Sequence, residues 1–116
     1  MRNLLNAIKA LSDETRLRMI YLLLDKECCV CEIMQAMDIS QTRASRNLNI
    51  LYDAGFLNLR KEGLWSHYSM KRDELDEYLI KLVESVEIAL QTEKKVLSDK
   101  RKLSDIICEN KKGVKI

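Results

Sequence analysis

The chain has 116 residues, of which 47% are hydrophobic and 33% charged, with three Gly and no Pro. This length supports one domain with a modest core, and the hydrophobic fraction is too high for a disordered chain. No apolar run approaches the roughly 20 residues of a membrane span, and residues 1–5 lack the features of a secretory signal, so we expect a cytoplasmic protein that does not enter a membrane. A single His, a single Phe and the lack of a Gly-rich loop argue against an enzyme.

The net charge of +2 is unevenly distributed. Residues 40–72 contain six basic and two acidic side chains, a sum of +4, whereas residues 73–92 contain one and six, a sum of −5. A basic segment beside an acidic one suggests a face that binds a polyanion. A chance imbalance on a solvated surface is the alternative.

The first half of the chain predicts four helices. Apolar residues at helical spacing predict a short amphipathic helix over 3–11. A second follows the N-terminal signature at 12–15, and its nearly continuous apolar positions predict burial on most sides. A third is predicted over 29–37. Ser40 is a good N-cap for the fourth, which ends at Gly55, where a left-handed residue is favoured.

The second half predicts a hairpin and a long helix. Segments 56–61 and 64–70 have the period of strands and are joined by Glu62 and Gly63. A helix is then predicted over about 73–107, before a frayed tail at about 110–116. Its apolar seam, spaced in steps of four and three, consists of Leu75, Leu79, Leu82, Val86 and Ala89. We interpret this seam as a dimer contact; packing on the first helix of the same chain is the alternative.

The middle of the chain predicts a DNA-binding surface. A helix, a three-residue turn, an N-capped helix and a basic hairpin form a winged helix-turn-helix, in which the second helix enters the major groove. The exposed face of that helix has Ser, Thr and Asn, which are poor helix formers, in place of Glu and Lys. We expect double-stranded operator DNA to contact Ser40, Gln41, Thr42, Arg43, Ser45, Arg46 and Asn47 on the helix, and Arg60, Lys61 and His67 on the wing.

The alternative is that the polar face of the helix is simply exposed to solvent and does not bind DNA. Trp65, on the hairpin, is interpreted as a packing residue. Together the elements predict a mainly α fold with a small β-hairpin wing. The prediction is one winged helix-turn-helix domain over residues 1–116, dimerised through its terminal helices.

Three of the four Cys lie within four positions, at Cys28, Cys29 and Cys31. In a reducing compartment this spacing indicates thiol chemistry and not a disulfide framework. A helix N-terminus favours the thiolate form, although Glu27 and Glu32 oppose it. On a regular helix Cys28 and Cys31 would share a face, whereas Cys29 and Cys31 would point in nearly opposite directions. Binding of one ion by all three would therefore unwind or tilt this turn.

Other interpretations of the sulfur-containing residues stay open. Cys28 and Cys29 could be small buried hydrophobic residues in a tight turn. Cys108 could complete a site from the partner chain, stand unused in the tail, or be a chance residue. Met34 is better interpreted as a core residue than as a thioether ligand.

Four short segments point to a known family. They are ALSDETRL at 10–17, SQTRASRNL at 40–48, LYDAGFL at 51–57 and ECCVCEI at 27–33. With these motifs, residues 10–70 resemble the ArsR/SmtB family of winged-helix metalloregulatory repressors. The last segment is similar to the arsenic-sensing sequence ELCVCDLC of that family.

The resemblance implies a homodimeric repressor that leaves its operator when As(III) or Sb(III) binds thiolates. Cys29 and Cys31 take the places of the first two ligands, whereas the family's third Cys falls on Met34 and Cys28 stands where the pattern has Leu. The family's zinc-type site on the final helix has no match, because His67 is the only His.

As(III) and Sb(III) are soft, three-coordinate ions that bind thiolates strongly. We therefore expect the ion to bind Cys28, Cys29 and Cys31, with Cys108 as a further candidate, and to displace the recognition helix. The alternatives are a thiol redox or persulfide sensor on the same fold, a cadmium or lead sensor, and a protein-interaction module.

Overall fold

The computed structural model describes residues 1–106, except for the side chain of Arg72. Among these residues, none of the helices has both the length and the apolar character that a membrane crossing requires. The elements are, in chain order, α1 (Arg2–Leu11), α2 (Glu14–Leu23), β1 (Cys28–Cys29), α3 (Val30–Met37), α4 (Gln41–Asp53), β2 (Leu57–Glu62), β3 (Trp65–Met70), a 3-10 turn (Arg72–Glu74), α5 (Glu77–Leu90) and α6 (Lys94–Asp105).

The helix-turn-helix is formed by α3 and α4, as predicted. Asp38 ends α3 in the left-handed region with φ 56°, which Asp tolerates better than most residues. The Ser40 hydroxyl accepts a hydrogen bond from the Arg43 N–H at 3.1 Å and caps α4. Gly55, with φ 97°, reverses the chain after α4, so the local signals for the start and end of the recognition helix are confirmed.

The central helix of the core is α2. Its residues Met19, Ile20 and Leu22 are almost completely buried, which confirms the predicted burial on most sides. Helices α1, α4, α5 and α6 all pack against it. The core therefore lies around α2, and the elements that carry candidate functional residues are attached to it directly or through α3, α4 or β3.

The wing contains a strand that the sequence analysis missed. The sheet has the order β1-β3-β2, with all neighbours antiparallel. The short strand β1 pairs Cys28 with Tyr68 and Cys29 with His67. Because Glu62 pairs with Trp65, the hairpin turn is formed by residues 63–64, one position later than predicted.

The prediction of one helix over 73–107 is wrong. The chain breaks after α5, and α6 returns along α2. Lys95 near the start of α6 pairs with Glu14, and Lys100 further along pairs with Asp25, so the two helices run in the same direction. Helix α6 buries apolar side chains against α2 and α3 of its own chain. The predicted tail at 110–116 and Cys108 lie outside the described residues.

The five residues of the predicted apolar seam differ in how far they are buried. Leu75 and Leu79 are buried, whereas Leu82 and Val86 are half-buried and Ala89 is exposed. The seam therefore packs on its own chain at its start and turns toward the surface at its end.

Candidate DNA-binding surface and cysteine cluster

The exposed face of α4 carries most of the residues that the sequence predicts to contact DNA. Ala44, Leu48 and Leu51 are fully buried and hold the helix on the core. The opposite side carries the predicted DNA-contacting residues, of which Ser45 is half-buried and the others are exposed: Ser40, Gln41, Thr42, Arg43 and Arg46. This face has two basic side chains and no acidic one before Asp53.

Asn47 is not on this surface, so its predicted contact with a base is wrong for this conformation. It is 6% exposed. Its Nδ2 donates to the Arg43 carbonyl at 2.9 Å, and its Oδ1 accepts from Arg16 Nη1 at 2.8 Å. Asn47 directly precedes Leu48 on the inward side of α4, so its amide is enclosed and links α4 to α2.

Thr15 and Arg16 are functional neighbours that the sequence analysis missed. The Thr15 hydroxyl accepts a hydrogen bond from Arg43 Nη2 at 2.8 Å. Arg16 donates through Nε to the Ala10 carbonyl at 2.6 Å as well as to Asn47. The first turn of α2 therefore fixes both the position of α4 and the direction of Arg43. The available signal in the sequence was a pair of polar side chains in the first turn of a helix predicted to be buried.

The two basic side chains of the wing are exposed, as predicted. Arg60 donates to both Glu27 oxygens, at 2.7 and 3.2 Å, and lies 3.4 Å from Glu62 Oε1. Hydrogen bonding to Glu27 is the main cause that holds the pKa of Arg60 above its usual value, so the guanidinium stays charged. Glu27 was not predicted as a partner of the wing. Lys61 extends the basic edge beside Arg60.

His67 lies in the interior of the sheet, so the predicted phosphate contact is wrong for this conformation. The residue is 3% exposed, because β1 and β2 flank its strand on both sides. Its backbone register places Cys29 opposite on β1 and Arg60 opposite on β2. The sequence predicted a two-stranded wing, in which a side chain of the return strand would have been accessible.

The cysteines stand at a junction of strand and helix. Cys28 and Cys29 form β1 and are fully buried, and α3 begins only at Val30. The predicted helical arrangement of Cys28 and Cys31 on one face is therefore wrong. Successive residues of a strand point to opposite faces. In agreement, Cys28 belongs to the apolar core cluster together with Tyr68.

The start of α3 is held by a capping box. The Cys29 N–H donates to Glu32 Oε1 at 2.9 Å, and the Cys29 sulfur faces the backbone N–H of Glu32. Glu32 is 1% exposed, with Lys26 Nζ 3.8 Å from its second oxygen. Cys31 is half-buried and accepts a hydrogen bond from Gln35 Nε2 at 3.0 Å. Displacement of the Cys29 sulfur would thus remove one of the two contacts of this capping box.

Within residues 1–106, no three His, Cys, Asp or Glu side chains form an arrangement that could hold a metal ion. The side chains of Cys28 and Cys29 point to opposite faces of β1. Convergence of Cys28, Cys29 and Cys31 on one ion thus needs a change of the β1–α3 junction. Thiolates remain the side chains that suit a soft ion.

Comparison with known proteins agrees with this architecture. Residues 13–58 match the family described as bacterial regulatory protein, arsR family. An arsenic resistance transcriptional regulator of Pseudomonas putida is 37% identical over 95 residues, 81% of this chain and 79% of that protein. The arsenical resistance operon repressor of Escherichia coli is 46% identical over 63 residues, which are 53% of this chain. The match spans about half (54%) of that repressor's length.

A solved structure shows the same fold. The homodimeric winged helix-turn-helix DNA-binding domain of a possible ArsR-family regulator from Mycobacterium bovis superposes with a TM-score of 0.65 and 27% identity, over 80% of this chain and 82% of that one. The fold, the exposed recognition helix and these relatives agree. The chain is therefore a member of the ArsR family, and so a winged helix-turn-helix transcriptional regulator and not an enzyme.

Proposed function

We propose that the protein is a homodimeric repressor that binds double-stranded operator DNA and releases it when As(III) or Sb(III) binds its cysteine cluster. The observation that carries this proposal is the position of Cys29 and Cys31, on either side of the first residue of α3. Helix α3 packs on the recognition helix and is separated from it by a three-residue turn. The names of the Pseudomonas and Escherichia relatives support arsenic as the inducer.

The DNA-binding half of the proposal rests on the exposed, basic face of α4. Arg43 and Arg46 are accessible and lie in the first two turns, where a recognition helix contacts base edges and phosphates. We expect Arg43→Ala with Arg46→Ala to weaken operator binding strongly and to flatten the dependence of log K on log salt by about one unit for each lost phosphate contact. Removal of the exposed Arg101 on α6 is the matched control for a lost positive charge.

The release half of the proposal follows from the capping box. Binding of Cys29 and Cys31 to one ion moves the Cys29 sulfur away from the Glu32 N–H and so dissolves the first turn of α3. Cys28 would have to leave the apolar core to become the third ligand. Cys108 is the other candidate for the third ligand; it lies two positions after Ile106, the last described residue. Coupling between ion and DNA of about 1–3 kcal/mol corresponds to a 5- to 150-fold loss of operator affinity.

Single Cys→Ser variants test the ligand set in an operator-release titration with arsenite under reducing conditions. We expect Cys29→Ser and Cys31→Ser to abolish release while apo-protein affinity for DNA is kept. Cys28→Ser and Cys108→Ser decide which thiol is the third ligand. Normal release by both Cys29→Ser and Cys31→Ser would refute the proposed sensor. Release by oxidant, reversed by dithiothreitol and independent of arsenite, would instead establish the redox alternative.

The dimeric state is supported by an unpartnered apolar surface. Helix α1 buries Ala7 and Ala10 against the core, yet its other side exposes Leu4, Leu5 and Ile8 to between 40% and 48%. On α5, Ile88 is 67% exposed. The homodimeric Mycobacterium bovis domain has the same fold. We expect Ile8→Glu combined with Ile88→Glu to give a folded monomer in sedimentation velocity; an unchanged dimer would place the interface elsewhere.

A further inference from the structure

His67 carries a buried polar atom that has no hydrogen-bond partner among the described residues. The side chain is 3% exposed, and Nε2 has no hydrogen-bond partner in the described structure. Glu62 Oε1 lies 3.6 Å from Nε2, which is within ion-pair distance but beyond hydrogen-bond length. A buried polar atom without a hydrogen-bond partner is unfavourable, which makes Nε2 a candidate metal ligand.

The imidazole lies beside a candidate thiolate. His67 and Cys29 are direct partners in the β1–β3 register. Direct partners in an antiparallel pair share one face and have Cβ atoms about 4.5–5.5 Å apart. This face is opposite to the one that Cys28 and Tyr68 pack into the core.

Charged side chains surround this pair. Arg60 on β2 is the other register partner of His67, and it is held by Glu27 and Glu62. Two carboxylates against one guanidinium leave a net negative surrounding for a bound cation. The Arg60 and Glu62 side chains are more than half exposed, so their displacement opens a path from solvent to the buried pair.

We propose that His67 becomes a ligand of the inducer site together with Cys29 and Cys31 when the β1–α3 junction rearranges, because these side chains do not form a metal site in the described conformation. We propose further that this set takes a borderline-soft divalent cation of the Cd²⁺ or Zn²⁺ type. Mixed thiolate and imidazole coordination is typical of such cations, whereas As(III) is satisfied by thiolates alone. The inference rests on the proposed thiolate sensor and deepens it. Divalent cations and As(III) then differ in whether the His67 imidazole coordinates the bound ion.

Coordination by His67 gives the divalent ion a second effect on the DNA-binding surface. An ion shared by Cys29 and His67 links the start of α3 to the central strand of the wing. Arg60 lies on the next strand, opposite His67. The ion therefore displaces the basic edge of the wing as well as the recognition helix, whereas arsenite acts on the helix alone.

Nitrogen-15 NMR of the wild-type protein tests the proposal directly, because the chain contains one His. On titration with ¹¹³Cd²⁺ under reducing conditions, we expect an imidazole nitrogen of His67 to shift and to show cadmium–nitrogen coupling, while thiolate-to-cadmium absorption appears. Thiolate absorption with an unchanged imidazole spectrum would overturn the inference and leave the cysteine sensor intact. No thiolate absorption with either Cd²⁺ or arsenite would refute the proposed sensor itself.

A variant separates the two inducers. We expect His67→Gln to weaken Cd²⁺ binding by at least about ten-fold and to change arsenite binding less than about three-fold. Ser66→Ala, on the same strand but the opposite face, is the matched control and should leave both affinities unchanged. Thermal unfolding of the metal-free variants confirms folding. Equal losses for both ions in His67→Gln would contradict the inference.

Discussion

The buried ion pair between α2 and α6 yields the sharpest stability prediction. Arg18 Nε and Nη2 donate to the two Asp99 oxygens at 2.7 and 2.9 Å, and the side chains are only 11% and 4% exposed. These hydrogen bonds are the main cause that holds the pKa of Arg18 above its usual value, so Asp99→Ala leaves a buried charge without its partner. Removal of one member of such a pair costs about 3–5 kcal/mol.

The matched control lies one turn earlier on the same helix. Lys95 pairs with Glu14 at 3.1 Å, but both side chains are more than 60% exposed, so Lys95→Ala should cost less than about 1 kcal/mol. With a urea m value of about 2 kcal/mol/M, the unfolding midpoint falls by about 2 M in Asp99→Ala and by less than about 0.5 M in Lys95→Ala. The double variant Arg18→Met with Asp99→Leu should recover most of the loss.

Urea titration followed by far-ultraviolet circular dichroism, at one fixed chain concentration, measures these differences. Because α6 packs on α3 as well as α2, Asp99→Ala should also loosen the support of the cysteine-bearing junction. Similar small losses in Asp99→Ala and Lys95→Ala, with unchanged m values, would show that this pair does not anchor α6.

Three further predictions concern the recognition helix and the wing. Asn47→Ala removes the link between α4 and α2 and should cost about 1–3 kcal/mol in urea unfolding, whereas the exposed Asn49→Ala should cost less than about 0.5 kcal/mol; equal losses would contradict the buried role. Glu27→Gln removes one of the two carboxylates that hold Arg60, so operator binding in a fluorescence titration should tighten, with a salt slope steeper by up to about one unit; weaker binding would contradict competition between Glu27 and phosphate. Burial, with smaller effects of Tyr52 and Asp53, raises the pKa of Tyr68 above 10. The unfolded chain then loses this proton first as the pH rises, so thermal stability should fall from about pH 10, and Tyr68→Phe should remove that part of the decline.

Local sequence signals were sufficient to predict the recognition helix of the helix-turn-helix. The N-cap at Ser40, the left-handed Gly55 and the apolar stripe of α4 depend on neighbours within a few positions, and each is present as predicted. The helical period likewise separated the buried from the exposed face of α4, except at Asn47. The fold class and the family motifs could therefore be recognised without coordinates.

Long-range packing determined the features that the sequence did not reveal. A two-residue strand has no period, so β1 exists only because Cys28 and Cys29 meet β3, and this third strand is what buries His67. The break before α6 contains no Gly or Pro, and α6 packs back on α2, where Asp99 pairs with Arg18 far away in the sequence. Helix caps and hydrophobic periodicity depend on residues that are close together in the sequence. Strand pairing and buried charge pairs depend on partners that only the folded chain brings together.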